Sequence, residues 1–567
     1  MKRVLFLLMS AIMVFASVAF TGCSKVIEDI DSTKTQLYVA NYNGGVGSKW
    51  LDDVIERFEE EYEEYEFEPG SGKRGAQVIV EHSKSYDGVS LTNTLNSSDY
   101  EVFFTQNFNY HEMATQYLLD ITDLVTETVC EQDGKTIFSK LVETDKTDLK
   151  INDKIYAIPH YELNMGMGYD AGLFKDKNLY FSDEIDTEDT LYPGTRYFVL
   201  DSQETKSPGP DGKYNTYDDG LPSSLMEFYK LIDEMGSKSV TPFVFPGMNI
   251  HYTNQLVATA FHNLIGADGV NVNYRLTSNG TPIDIVSGFN GKVPNTYPVA
   301  LNEDNAYLLR ESAGLYYALE FAEKAFAEKA NYYTSSDWDN LAAMRRYLNS
   351  GLDGTYQYIG MIIDGSYWYN EAADHGYFDK LAKDYPLTYT KKEFKFMPFP
   401  RQYSGTVTEN NGSAPVMVDS YESFAFIRKG IKSNHIEIAK KFLSFCYSDV
   451  ELENFTIATN GVKRSLNYDY AGQRNKISNS FAQSLMDMRI DAEQSGTAVK
   501  GFSSNATYKA NQRFFTQNTN SLYWNTIMAG QSYVHAYGVF KDGKGSAKDY
   551  FNGMKIGEDN WKGSYLK

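Results

Sequence analysis

The stretch Gln36–Phe58, QLYVANYNGGVGSKWLDDVIERF, decides the fold class. Gln36-Leu-Tyr-Val-Ala40 reads as a short strand, and Asn41-Tyr-Asn-Gly-Gly-Val-Gly47 as a turn-rich loop. Ser48 then stands where a helix needs a cap, and Trp50, Val54, Ile55 and Phe58 fall on one face of the helix that follows. Moving outward, Gln77-Val-Ile-Val-Glu81 predicts a second strand. Glu101-Val-Phe-Phe-Thr105 predicts a third, ending at Gln106-Asn107. Strand, loop and helix in alternation imply an α/β protein with parallel sheets and helices on their faces. In such sheets ligands bind at loops beyond the carboxyl ends of the strands.

Farther along, Lys154-Ile-Tyr-Ala-Ile-Pro159 reads as a strand leading into His160-Tyr-Glu-Leu-Asn164. Ser224-Leu-Met-Glu227 has capping-box spacing ahead of a helix carrying Phe228, Ile232 and Met235. Asn434-His-Ile-Glu437 repeats that spacing ahead of Ile438–Cys446. Tyr180–Asp219 and Asn271–Asn305 are polar, rich in Gly, Pro, Asn and Asp, and read as loop-rich insertions. A length of 567 residues implies at least two lobes.

Composition narrows the function. Lys plus Arg number 53 against 75 Asp plus Glu, a net charge of −22, which suits neither DNA nor RNA. The 44 tyrosines pair a flat apolar face with a polar tip, useful for gripping half-polar ligands. At the amino terminus, Lys2 and Arg3 precede an apolar run from Val4 to Phe20 and then Thr21-Gly22-Cys23, so residues 1–22 read as an export signal. The small residues before Cys23 resemble a bacterial lipobox, with Phe20 where Leu is usual; that resemblance implies acylation of Cys23 and a membrane anchor. Residues 23–35, with Glu28, Asp29 and Asp31, read as a tether. After cleavage only Cys130 and Cys446 remain, too few for a disulfide framework or a zinc site. Buried free thiols and a single bridge both stay open.

The order of segments resembles the extracellular solute-binding proteins of ABC importers, in the oligosaccharide, maltose-binding-like branch. The resemblance rests on LYVANYNGG, on NSSDYEVFFTQN followed by YLLDITDL, and on NDKIYAIPHYELNMGMGYDAGLF. It continues through GLPSSLMEFYKLI, MIIDGSYWYN, FKFMPFPR and IAKKFLSFCYSDVELENFTIATNGVKRSL. It implies a two-lobed periplasmic-binding-protein-like fold (class II) with discontinuous lobes joined by crossing strands. The first lobe would take residues 36–159 and 429–466, the second 160–428 and 467–567. The implied function is capture of a carbohydrate between the lobes by a monomeric protein and its delivery to membrane permease subunits, without catalysis or cofactor.

The same resemblance implies where the ligand sits. Tyr42 and Asn43 follow the first strand, Gln106 and Asn107 the third, although the tryptophan frequent there in the family is absent. Tyr161, Glu162 and Asn164 follow the crossing strand. Asn249, His251 and Tyr252 correspond to a second-lobe ligand loop. Asp364, Tyr367 and Trp368 match a sugar-stacking turn, and Trp524 a late stacking tryptophan. Few of these are charged, which favours a neutral sugar. Aromatic faces would hold the C–H patches of such a ligand and amides its hydroxyls.

Two motifs fall outside that scheme. Asp211, Asn215, Asp218 and Asp219 place oxygen donors on a Gly-containing loop, the residue types Ca²⁺ uses, without EF-hand spacing. Gly70-Ser-Gly-Lys73 lacks the Gly and Ser/Thr positions of a phosphate loop. A surface glycoside hydrolase, using paired carboxylates, and a metal binder using Tyr316-Tyr317 and Tyr332-Tyr333 are the alternative functions.

Overall fold

The structure is a computed structural model and describes residues 30–200, 204–327, 338–354, 357–407, 412–419, 422–502, 526–528, 531–533 and 535–564. The chain enters at β1 (Thr35–Tyr42), where Leu37 and Val39 point into the core. Helix α1 (Lys49–Glu61) follows, burying Trp50, Leu51, Val54 and Phe58 along one face. Each such side chain removed from water contributes about 1.5–3 kcal/mol. Ser48 occupies the cap position but makes no side-chain capping bond. β2 (Ala76–Ser83) and β3 (Val102–Thr105) pair in parallel with β1, Val39 lying opposite both Val80 and Val102.

The expected strand from Lys154 shortens to β4 (Ile158–Pro159). Asn152 and Asp153 adopt left-handed φ of 53° and 61°, forming a turn closed by an Ile151–Lys154 bridge, so the run cannot be extended there. The chain then crosses into the second lobe and forms β5 (Met165–Asp170), α2 (Leu225–Ser237), β6 (Val240–Val244) and α3 (Ile250–Arg275). Gly266, at φ 79°, breaks α3 into two helical stretches. β7 (Tyr358–Gly365), α4 (Trp368–Asp374) and β8 (Phe394–Met397) complete this lobe's sheet. The chain returns through β9 (Phe424–Ile427), α5 (Ile436–Cys446) and α6 (Asp449–Ala458), then crosses again to α7 (Ser480–Gln494).

Two sheets result. The first runs β2-β1-β3-β9-β4, with β9 antiparallel to both its neighbours; the second runs β8-β5-β7-β6, with β7 parallel to β6 and antiparallel to β5. Each lobe has its own apolar core. Leu37, Phe103, Phe104, Phe426, Leu443 and Phe455 belong to one. Met167, Phe228, Phe243 and Phe321 pack on one face of the second sheet, Trp368, Phe396 and Phe481 on the other. The crossings are tied by short pairings, Tyr161–Glu162 with Lys463–Arg464 and Met417–Asp419 with Ala498–Lys500.

Further details differ from the sequence expectation. β9 pairs with β3 and β4, so the first lobe already holds residues upstream of the expected boundary at 428/429. Thr35, placed in the tether, is fully buried in β1. Asn434 does not cap α5: a 3-10 turn over Ser433–His435 intervenes, and the Asn434 amide donates to Glu68 instead, at 2.8 Å. The insertions contain regular structure. Pro282–Asn290 and Val293–Ala300 form a hairpin in which Ile283 and Ile285 are buried and Asp284 exposed, a short alternation masked by the surrounding turn residues. Phe181–Ile185 pairs with Arg196–Phe198, and this segment is pinned to α2 by a buried Arg196–Glu227 ion pair at 3.1 Å. Ser224 caps α2 through the Glu227 amide, while the Glu227 carboxylate accepts from Ser223, so the capping box is only half formed. Cys130 and Cys446 are both buried and unbridged.

Candidate functional site

β1 and β3 both end at the face where the lobes meet. Beyond β1 the chain enters Gly44-Gly45, and beyond β3 it reaches Gln106 and Asn107. There the lobes enclose a cavity of about 170 Å³. Its first-lobe wall is Tyr42, Gly44, Gly45, Asp87, Gln106 and Asn107; its second-lobe wall is His251, Tyr252, Tyr367 and Glu371, with Leu163 at the crossing.

The first wall is built from strand ends. Gln106 continues β3 by a backbone bridge to Asp87, and its Oε1 accepts the Tyr161 hydroxyl at 2.9 Å. Tyr161 is itself buried against Phe455, so it fixes Gln106 from behind and does not reach the cavity. Asn107 takes a left-handed φ of 53°, which Asn tolerates better than most residues, and its side chain bonds the Asp87 carboxylate. Asp87 precedes the helix Gly88–Ser97 yet caps nothing, leaving its carboxylate at the cavity. Burial holds that carboxyl above its ordinary range.

The second wall is built from the first turns of α3 and α4. His251 and Tyr252 lie just past Asn249, the residue that precedes α3. Tyr367 immediately precedes α4, and Glu371 follows one turn later on the same side. Burial raises the Glu371 carboxyl against the opposing pull of Lys84, His375, Asn340 and the Gly45 amide. The Gly45 contact ties one lobe to the other. Gly45 has φ +71°, and a Cβ there would come within 3.0 Å of Tyr367 Cβ, so only glycine permits this approach. The Tyr42 hydroxyl is pushed up by burial and then by the Asp87 and Glu371 carboxylates, while burial lowers His251 and keeps its imidazole neutral.

The cavity therefore brings together Tyr42, Gln106, Asn107, His251, Tyr252 and Tyr367 from the sequence expectation. Others lie elsewhere. Trp368 is fully buried in the second-lobe core, its ring 5.7 Å or less from those of Tyr347, Phe394 and Phe481. The turn presents Tyr367 to the cleft, and the next residue points to the opposite face. Asp364 is fully buried behind it, its Oδ1 accepting the Gly365 amide, and its carboxyl is raised well above normal by burial and by Glu371. Glu162 pairs with Arg489 and Lys463 inside the crossing, in a network completed by Glu493. The Asn164 backbone amide donates to the Ser366 hydroxyl, and the Ser366 amide donates back to the Asn164 carbonyl. Asn43 extends the β1–β2 ladder through Ser83, and Asn249 stands ahead of α3; neither lines the cavity. Trp524 and Cys23 lie outside the described residues, as do Tyr332 and Tyr333.

Sequence reasoning missed Asp87 and Glu371. For Glu371 a signal existed: it follows Tyr367 at i+4, so a helix that shows one to the cleft shows both. The proposed calcium loop is satisfied from within. Asp211 accepts from the Lys213 amide, Asp218 from the Asp211 amide, and Asp219 from the Asn215 amide. Among the described residues no group of three or more His, Cys, Asp or Glu side chains is placed to hold a metal ion. Tyr316 packs in the core and Tyr317 stacks on Tyr403 at 4.1 Å.

No protein-family model matches the chain, and no curated protein matches it. Solved structures do. The GacH receptor of Streptomyces glaucescens, known unliganded and with acarbose, is 11% identical, with a TM-score of 0.51 over 94% of this chain and 99% of its own. A chitin oligosaccharide binding protein is 12% identical, with a TM-score of 0.50 over the same shares of the two chains. The chain has the two-lobed periplasmic-binding-protein fold. In that fold the cavity described above is the interlobe cleft, and the sheet order and repeated crossings are those of a class II arrangement with discontinuous lobes. Among the described residues no helix is long and apolar enough to cross a membrane.

Proposed function

We propose that the protein is the substrate-binding component of an ABC importer and holds a carbohydrate between its lobes without altering it. The observation that carries this is the interlobe cleft itself: three tyrosines, a neutral histidine and two amide side chains converge there from both lobes. Aromatic faces suit the C–H patches of a sugar ring, and amides and carboxylates suit its hydroxyls. The two structural neighbours, named for an oligosaccharide and solved with acarbose, support the same reading. The Gly45–Glu371 and Gly45–Tyr367 contacts join the lobes at the cleft, so a ligand bridging both walls favours the closed form that a permease would recognise. Acylation of Cys23 after signal cleavage would hold the protein at the extracytoplasmic membrane face.

A thermal-shift screen of the mature protein against saccharides of graded length tests the reading. A ligand at 100 times its Kd stabilises by about 2.7 kcal/mol, a readily measured shift. Stabilisation by a saccharide that disappears in Asn107→Ala supports it; stabilisation only by non-saccharide solutes overturns it. The hydrolase alternative draws on the two cleft carboxylates, and it prevails if incubation with the bound saccharide releases shorter products.

A further inference from the structure

We propose, building on the carbohydrate reading above, that the ligand is an amino sugar, a saccharide whose ammonium group lies between Asp87 of the first lobe and Glu371 of the second. Among the described residues the cleft lining has one carboxylate on each wall and neither Lys nor Arg. Glu371 Oε2 and Asn107 Oδ1 are buried without a hydrogen-bond partner, so each wall presents an acceptor that awaits a donor from the ligand.

The surrounding charges leave an acidic excess. Lys84 and His375 act on Glu371 from outside the lining, while the side-chain bond to Asp87 comes from the neutral Asn107. The first turn of α3 adds roughly half a positive charge at most. Against these stands Asp374, close to Gly47. His251 contributes no charge while burial keeps it neutral. Two carboxylates withdrawn from water and facing one small space are poorly placed unless a cation joins them. A neutral sugar supplies hydroxyl donors but leaves the charge uncompensated. A sugar ammonium supplies both donors and charge, and the tyrosines keep the contact surface suited to a ring rather than to a bare polyamine.

The test is titration of the wild-type protein, just below neutral pH, with glucosamine, glucose and N-acetylglucosamine, and with the chitosan disaccharide against its diacetylated form. The amine is expected to bind at least about tenfold more tightly than its hydroxyl and N-acetyl counterparts, with an advantage that shrinks as salt rises. Glu371→Gln and Asp87→Asn should each erase most of that preference, read within each variant as the ratio of amine to N-acetyl affinity; the salt series needs no variant and decides the matter if either fails to fold. Equal or tighter binding of the neutral sugars overturns the amino-sugar assignment and leaves the carbohydrate reading standing. Binding of spermidine with no saccharide bound at all, or no binding by any saccharide, overturns both.

Discussion

The two walls of the cleft are made differently. The first-lobe wall stands on strand ends: Tyr42 closes β1 and Gln106 follows β3, both held by strand pairing, and Asn107 comes next. The second-lobe wall stands on first turns of helices, where a single residue's rotation decides whether a side chain meets ligand or core. Tyr367 and Trp368 show the consequence, adjacent in sequence and facing opposite ways. One wall is a property of the sheet and the other a property of packing behind it.

Substitution at that adjacent pair gives the sharpest separation. Trp368→Ala should cost about 3–5 kcal/mol of stability, since it empties a closed aromatic cluster. Tyr367→Ala also removes packing against the first-lobe core, so it should cost somewhat less stability than Trp368→Ala and in addition remove most ligand affinity. Chemical denaturation of both variants, with titration of the better-folded one, checks the contrast. If Tyr367→Ala proves the more destabilising, the assignment of core and cleft at this turn is reversed.

Gly45→Val comes next in expected size. It forces a side chain into a left-handed backbone and against Tyr367, so the walls cannot approach as they do here. Saccharide affinity should fall at least about tenfold, near 1.4 kcal/mol. The separated lobes should retain their individual folds, visible as an unchanged far-ultraviolet spectrum. Tyr161→Phe is milder. It removes one buried hydrogen bond to Gln106, worth about 0.5–1.5 kcal/mol, and leaves Gln106 less fixed. A several-fold loss of affinity with intact packing is expected; no change in affinity would mean that Gln106 does not touch the ligand.

How much of this could be read in advance follows from the same contrast. The first sheet was legible because alternating apolar residues such as Leu37 and Val39 fix which ends face the ligand, and the loops after those ends carried Tyr42, Gln106 and Asn107. Trp368 was misplaced because residue type, without the angle of the turn, cannot say which of two neighbouring aromatics is turned inward. Glu162 looked like a ligand group, but its charge is consumed by Arg489 and Lys463, which arrive from a segment about three hundred residues away. Asp87 was invisible because Asp before a helix ordinarily caps it, and here it does not.

The smallest effect concerns the acidity shared by the two walls. Asp364 has its carboxyl raised well above the ordinary value by burial, and next by Glu371. A group whose folded pKa lies above its unfolded one contributes stability that is full below the unfolded pKa and is lost as pH rises through the folded pKa. Asp364→Asn removes that dependence while keeping an oxygen for the Gly365 amide. The variant should therefore match the wild type in acid and become progressively more stable relative to it as pH rises toward neutrality, read as the difference between two Tm-against-pH curves. Because Glu371 is a cause of the shift, Glu371→Gln should reduce that difference. A gap that stays constant with pH would show that Asp364 is not titrating, and the coupling between the buried carboxyl and the cleft would then be absent.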